Sequence, residues 1–196
     1  SDEDFFTLSL KTASGDSYLE EYRFLVATII DITRKLFSDE SQDKKAIYQT
    51  YFSKLPESKV ARRLQLFVLS LEPLLFVAEL ETKYFELFAT KKTLDVLRGA
   101  EYERALQAGF SFLAETQKRK FVANVFALFA KPKSEDENRW KRHYASCILS
   151  TISDELTQEE VDLAATSGFK IDSNYQPEPS IGRVRSETVT FRSPIS

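Results

Sequence analysis

The chain is poor in the side chains that carry most protein chemistry. Its 196 residues include one histidine, one cysteine, five glycines and no methionine. Nucleophiles, general bases and zinc sites draw heavily on His and Cys, and phosphate-cradling loops need closely spaced glycines. This scarcity argues against an enzyme, and no catalytic residue, metal ligand or cofactor is expected. A single cysteine cannot close an internal disulfide, which fits a reducing cytoplasm. The 27 basic and 30 acidic residues leave a net charge of −3, so the chain as a whole has no pull toward nucleic acid, and binding there would need a local basic patch. The first six residues are acidic where a secretory leader would be basic, so no leader is expected. The longest apolar stretch, Leu64 to Leu80, is interrupted by Gln65, Ser70, Glu72, Pro73 and Glu79. A membrane span wants about 20 mostly apolar residues, so this stretch reads as two buried helices meeting at Pro73.

What the chain does have is material for packing helices. Sixteen phenylalanines and eight tyrosines accompany a 42% hydrophobic fraction. Three helix starts carry a Ser/Thr-x-x-Glu capping box: Ser17 with Glu20, Ser134 with Glu137, and Thr157 with Glu160. After the first box, Leu25, Ile29, Ile32 and Leu36 recur at helical spacing and predict a helix to about Phe37. Ala46, Ile47, Tyr51, Phe52 and Leu55 mark a second helix that Pro56 stops. Helices are also predicted over 57–71, from Pro73 to about Ala89, over the short stretch Thr93 to Arg98, over 100–116, and from Gln117 to Ala130 ahead of Pro132. Trp140, Tyr144, Cys147, Ile148 and Thr151 then give one more helix an apolar face.

The expected fold is therefore all-α, with seven to nine helices in a bundle or orthogonal array and an extended arm at each end. Residues 1–16 form the first arm, 17–168 the helical domain and 169–196 the C-terminal tail. Three of the six prolines, at 177, 179 and 194, lie in that tail. No repeat of constant period is present to support a solenoid.

Each chemically suggestive group has an ordinary alternative. His143 and Cys147 stand four apart on one predicted helix and can be neighbours, but Cys147 falls on the apolar stripe, where a buried inert thiol is expected. The pairs Glu20-Glu21, Asp136-Glu137 and Glu159-Glu160 sit at helix starts, where they favour the helix dipole. Lys118, Arg119, Lys120, Arg139 and Arg142 form the best candidate for a phosphate-binding face; Lys59, Arg62 and Arg63 make a smaller group. Interspersed acids such as Glu135 and Glu137 let the same residues read as solvated surface. The aromatics Phe76, Tyr84, Phe85, Phe88, Phe110, Phe112, Phe121, Phe126 and Phe129 exceed what one helical stripe needs. They serve either a core buried on several sides or an exposed apolar patch.

Residues 118–162 open with Lys118-Arg119-Lys120-Phe121-Val122-Ala123-Asn124-Val125-Phe126-Ala127. An acidic insert follows, then Tyr144-Ala145-Ser146-Cys147-Ile148-Leu149, then Leu156-Thr157 with Glu160. This resembles a helical pattern in uncharacterised all-helical bacterial proteins, some linked to abortive infection or phage defence. The resemblance covers under a quarter of the chain. It implies a helical, cytoplasmic bacterial protein and carries over no catalytic residue.

The expected function is a non-enzymatic helical interaction or scaffold module whose partner is another copy of itself. Its interface would use the arm residues Phe5, Phe6, Leu8, Val184, Val189 and Phe191, which have no local core to enter. The alternative is a nucleic-acid-binding helical protein using the basic residues between 118 and 142.

Overall fold

The structure, a computed structural model, describes residues 17–89, 100–129 and 134–177. Among them are eight α-helices and no strand: α1 (Ser17–Ser38), α2 (Lys44–Ile47), α3 (Lys59–Leu71), α4 (Val77–Ala89), α5 (Ala100–Gly109), α6 (Glu115–Phe129), α7 (Glu135–Thr151) and α8 (Gln158–Thr166). The fold is all-α. The short helix expected over 93–98, the arm at 1–16 and the tail beyond Pro177 lie outside the described residues. None of the described helices is long and apolar enough to cross a membrane.

Local chemistry accounts for the helix ends. Asp43 caps α2, its carboxylate accepting from the Ala46 amide at 3.0 Å. The chain then widens into a π-helical turn, Tyr48–Phe52, that buries Tyr48 and Phe52. Gln65 reaches across to this turn and donates to the Phe52 carbonyl at 2.8 Å, which lets a buried amide side chain keep a partner. Ser58 caps α3 through the Ala61 amide. The Thr157–Glu160 capping box is present in full at the start of α8. The other two predicted boxes rest on Ser17, Glu20 and Glu137, whose side chains lie outside the described residues.

Helices α3 and α5 make the most extensive helix pair, and α5 also packs on α4 and α7. Leu64 to Leu69 are buried without a break, so α3 has no solvent face along its middle. The aromatic surplus goes mainly into the core. Phe121 of α6 lies 5.1 Å from Phe110, 5.2 Å from Phe88 and 5.9 Å from Phe85, ring centre to ring centre. All three pairs are edge-on, the geometry that aromatic quadrupoles favour. Beside them Tyr84 donates to the Ala105 carbonyl and Tyr102 donates to the Tyr84 carbonyl at 2.8 Å. Each buried phenol therefore has a partner, and burial pushes both hydroxyls well above the usual tyrosine range.

Two helical expectations are corrected. The stripe Ile29, Ile32, Leu36 is not the buried centre of α1: Leu36 packs against the core only in part and Ile29 is half-buried. Ile30, Thr33 and Phe37 are buried instead, and Ile32 is exposed. The helix is turned by about one residue, because Phe37 packs on Phe76 while Arg34 lies over the Phe67 ring. Nor is 100–116 one helix. A Cβ at Gly109 would sit 2.7 Å from both Leu80 Cδ1 and the Tyr84 hydroxyl, and 3.3 Å from Pro73 Cβ. The backbone approaches its neighbours closely there. α5 ends at Gly109, Phe110–Phe112 make one 3₁₀ turn, and an extended Leu113 precedes α6. Likewise α4 becomes regular only at Val77, after a turn over Pro73–Phe76.

Past α8 the chain reverses. Gly168 is left-handed, at φ +77°, and its amide bonds the Ala165 carbonyl while the Phe169 amide bonds that of Ala164. This is a Schellman stop, and glycine is the residue that fits it. Phe169 then stacks on Phe126, and residues 169–177 run without helix or strand, broken by a turn in which the Tyr175 amide donates to the Asp172 carbonyl at 3.1 Å. They have no partner strand among the described residues. Instead Ser146 and Ser150, one turn apart on α7, accept from the amides of Lys170 and Asp172, each at 2.9 Å.

Candidate functional site

The basic cluster is taken apart by the tertiary structure. Lys118 is buried and its Nζ lies 2.6 Å from Glu155 Oε2. Arg119 binds the Glu160 carboxylate and the Glu155 carbonyl. These two cations tie the start of α6 to the α7–α8 connection. Lys120 is exposed and its Nζ lies 5.4 Å over the Phe85 ring. Arg139 and Arg142 are exposed on α7. Glu155 lies past the C-terminus of α7 while Arg139 lies near its N-terminus. At 1.5 Å per residue, the helix between Arg139 and Thr151 spans about 18 Å. Arg139 therefore lies about that far along α7 from the connection that Lys118 and Arg119 hold, and the Arg142 guanidinium lies beside Gly168. The arm residues Phe5, Phe6, Leu8, Val184, Val189 and Phe191 lie outside the described residues.

His143 and Cys147 are neighbours: Cys147 Sγ lies 3.8 Å from Nε2 and 4.0 Å from Nδ1. The thiol is only 8% exposed. Tyr175, from the segment 169–177, bonds Cys147 and donates to buried Glu103 of α5 at 2.7 Å. Burial, those hydrogen bonds and the Glu103 charge together hold the Tyr175 phenol in its neutral form, far above the usual range. The thiol is thus buried, with the Tyr175 hydroxyl and the His143 ring beside it. The arrangement acts as a polar pin that fixes the segment to α5 and α7. No group of three or more His, Cys, Asp or Glu among the described residues is placed to hold a metal ion.

Three features were not singled out in the sequence. The first is a buried ion pair. Glu101 is 1% exposed, and Arg63 approaches it through Nε at 2.6 Å and Nη2 at 3.4 Å. The partners are 38 residues apart, and nothing local marks them. The second is a cleft of about 310 Å³ whose walls include Arg34, Phe67, Leu71, Arg104, Gln107 and Ala108. The third is an apolar knuckle. Leu74 is 71% exposed and Phe112 44% exposed, on two turns that meet where Gly109 packs on Pro73. Leu75 beside them is exposed as well. This feature had a signal. Pro73-Leu74-Leu75-Phe76-Val77 places five apolar residues in succession, and a helical turn cannot bury all of them on one side.

No family model, curated protein or solved structure matches the chain.

Proposed function

We propose that this chain is a non-enzymatic helical interaction module that associates with a second copy of itself. The resemblance over residues 118–162 suggests a bacterial defence-type complex as its setting. The observation that carries the proposal is the knuckle of Leu74, Leu75 and Phe112. The rest of the aromatic surplus goes into the core or packs against it, while these side chains stand outward on adjoining turns. Large apolar side chains exposed on neighbouring turns suit association. The apolar arm residues Phe5, Phe6, Leu8, Val184, Val189 and Phe191 would extend the same interface, because segments that cannot bury apolar surface alone gain order by docking.

The test is the molar mass in solution across micromolar concentrations, by light scattering or sedimentation. The full chain should exceed monomer mass. The double variant Leu74→Lys/Phe112→Lys should weaken association by about tenfold or more, the equivalent of about 1.4 kcal/mol or more, with its helical circular dichroism unchanged. A strict monomer at every concentration would overturn the proposal.

A further inference from the structure

The residues past α8 cross from one helix to another. Lys170 and Asp172 are held by α7, their amides donating to Ser146 and Ser150. Gln176 and Pro177 meet Gln107 and Arg104 of α5. Tyr175 touches both helices, since its hydroxyl donates to Glu103 of α5 and bonds Cys147 of α7. Helices α5 and α7 pack on each other, so residues 170–177 lie across their seam. We propose that residues 170–177 are a strap that lifts from this seam while the helices stay folded, with Tyr175 as its latch and the Cys147 thiol uncovered when it opens.

Four observations carry this. The first is burial. Within the strap only Pro177 is buried; Ile171 and Tyr175 are half-buried and the other residues are exposed. A segment with so few buried apolar contacts opens at a free energy below that of global unfolding. The second is a fixed pivot. Phe169 stays with the helices, because its amide bonds the Ala164 carbonyl and its ring stacks on Phe126 at 5.8 Å. Motion therefore starts after it. The third is the strap's own turn. The Asp172 carboxylate accepts from the Asn174 amide at 2.9 Å, and the Asp172 carbonyl accepts from the Tyr175 amide at 3.1 Å. These bonds are internal to the strap, so lifting it does not require breaking them. The fourth is the grip on α5. The contacts of Pro177 and Gln176 are 3.4 and 3.5 Å long, beyond the usual range of about 2.7–3.2 Å. The Tyr175 bond to Glu103, at 2.7 Å, is short and goes to a carboxylate, the stronger kind. The thiol follows the latch. Its other neighbour, His143, stands exposed on the same helix as Cys147, so the tyrosine is the neighbour that departs with the strap.

The test is the rate at which iodoacetamide alkylates Cys147, the one cysteine of the chain, in the folded full chain at increasing urea. When reclosing outpaces alkylation, this rate reports the equilibrium of opening. It should exceed the rate set by global unfolding at least about tenfold. It should also be nearly flat at low urea, because a local opening exposes little surface. Tyr175→Phe should raise it about tenfold, as the loss of a hydrogen bond to a carboxylate implies. Val68→Ala, in the buried middle of α3, lowers global stability away from the strap and should leave the low-urea rate unchanged. A rate that follows the global unfolding curve, or that rises with Val68→Ala, would overturn the proposal, because the thiol would then open only with the core. Alkylation as fast as in the urea-unfolded chain would show an uncovered thiol and overturn it too. Indifference to Tyr175→Phe would remove the latch and overturn the proposal as stated.

Discussion

The rings around Phe121 and the segment 169–177 belong to one chain but are held by different physics. The ring cluster is dry. Phe121, Phe110, Tyr84 and Tyr102 are almost wholly buried and touch side chains from α4, α5 and α6. Its stability comes from area removed from water and from dispersion, summed over many weak contacts. The segment 169–177 buries only Phe169 and Pro177 fully. It is held by discrete polar contacts: Ser146 and Ser150 on its amides, Tyr175 on Glu103, and Arg104 on the Pro177 carbonyl. The comparison shows how the described residues past α8 are fixed to the helical body by side-chain hydroxyls. Backbone amides that would face a partner strand find serine hydroxyls on a helix, at the spacing of one turn. Such contacts can be lost one at a time, whereas the ring cluster fails as a unit.

The sharpest way to break the contrast is Phe121→Ala. It removes the ring at the centre of the cluster and should cost about 3–5 kcal/mol, the range for large aromatic truncations. Urea unfolding measures it. A cost near that of a surface substitution would mean that the cluster is not the stabilising centre.

Alkaline pH acts on the dry side. Burial first, then the charges of Glu79 and Glu86, push the Tyr48 hydroxyl from its usual 10 up to about 12. The folded state therefore holds this proton more tightly than the unfolded chain. The resulting stability is fully present below about pH 10 and is lost as pH rises toward 12. The slope is up to about 1.4 kcal/mol per pH unit for this tyrosine, and buried Tyr84 and Tyr102 act in the same direction. Unfolding midpoints should be flat to about pH 9 and fall above 10. Tyr48→Phe should flatten that fall by its own share. An unchanged slope would remove Tyr48 from the account.

The smallest effects belong to the segment 169–177. Ser146→Ala and Ser150→Ala should each cost about 1 kcal/mol, the net worth of an ordinary hydrogen bond. They should speed hydrogen exchange at Lys170 and Asp172 while leaving the amides of α3 and α5 protected. If exchange accelerates throughout the molecule instead, the segment and the core are one cooperative unit.

Helix existence was largely legible. The capping box at Thr157, the stop at Gly168 and the apolar runs on α3 and α6 all act over a few residues, so they can be read from spacing. The exact face of α1 was not legible. Ile32 is as apolar as Ile30 and Phe37, and only the position of Phe76 and Phe67 decides that Ile30 and Phe37 turn inward while Ile32 stays exposed. The break at Gly109 was hidden for the same reason, since glycine inside a helical stripe becomes a stop only when Leu80, Tyr84 and Pro73 crowd its backbone.

The sequence by itself determined an all-α chain, a rich aromatic core and scant means for nucleophilic or metal chemistry, because these depend on composition and on periodicity within a few turns. The tertiary structure alone decided which charges are available. Lys118 and Arg119 look like a surface patch in sequence but meet Glu155 and Glu160, which lie 37 and 41 residues downstream. Arg34 and Arg104 look unrelated in sequence yet line one cleft at the exit of the chain from Pro177. Electrostatic attraction depends on distance in space, and spacing along one sequence carries no record of which distant helices will pack together.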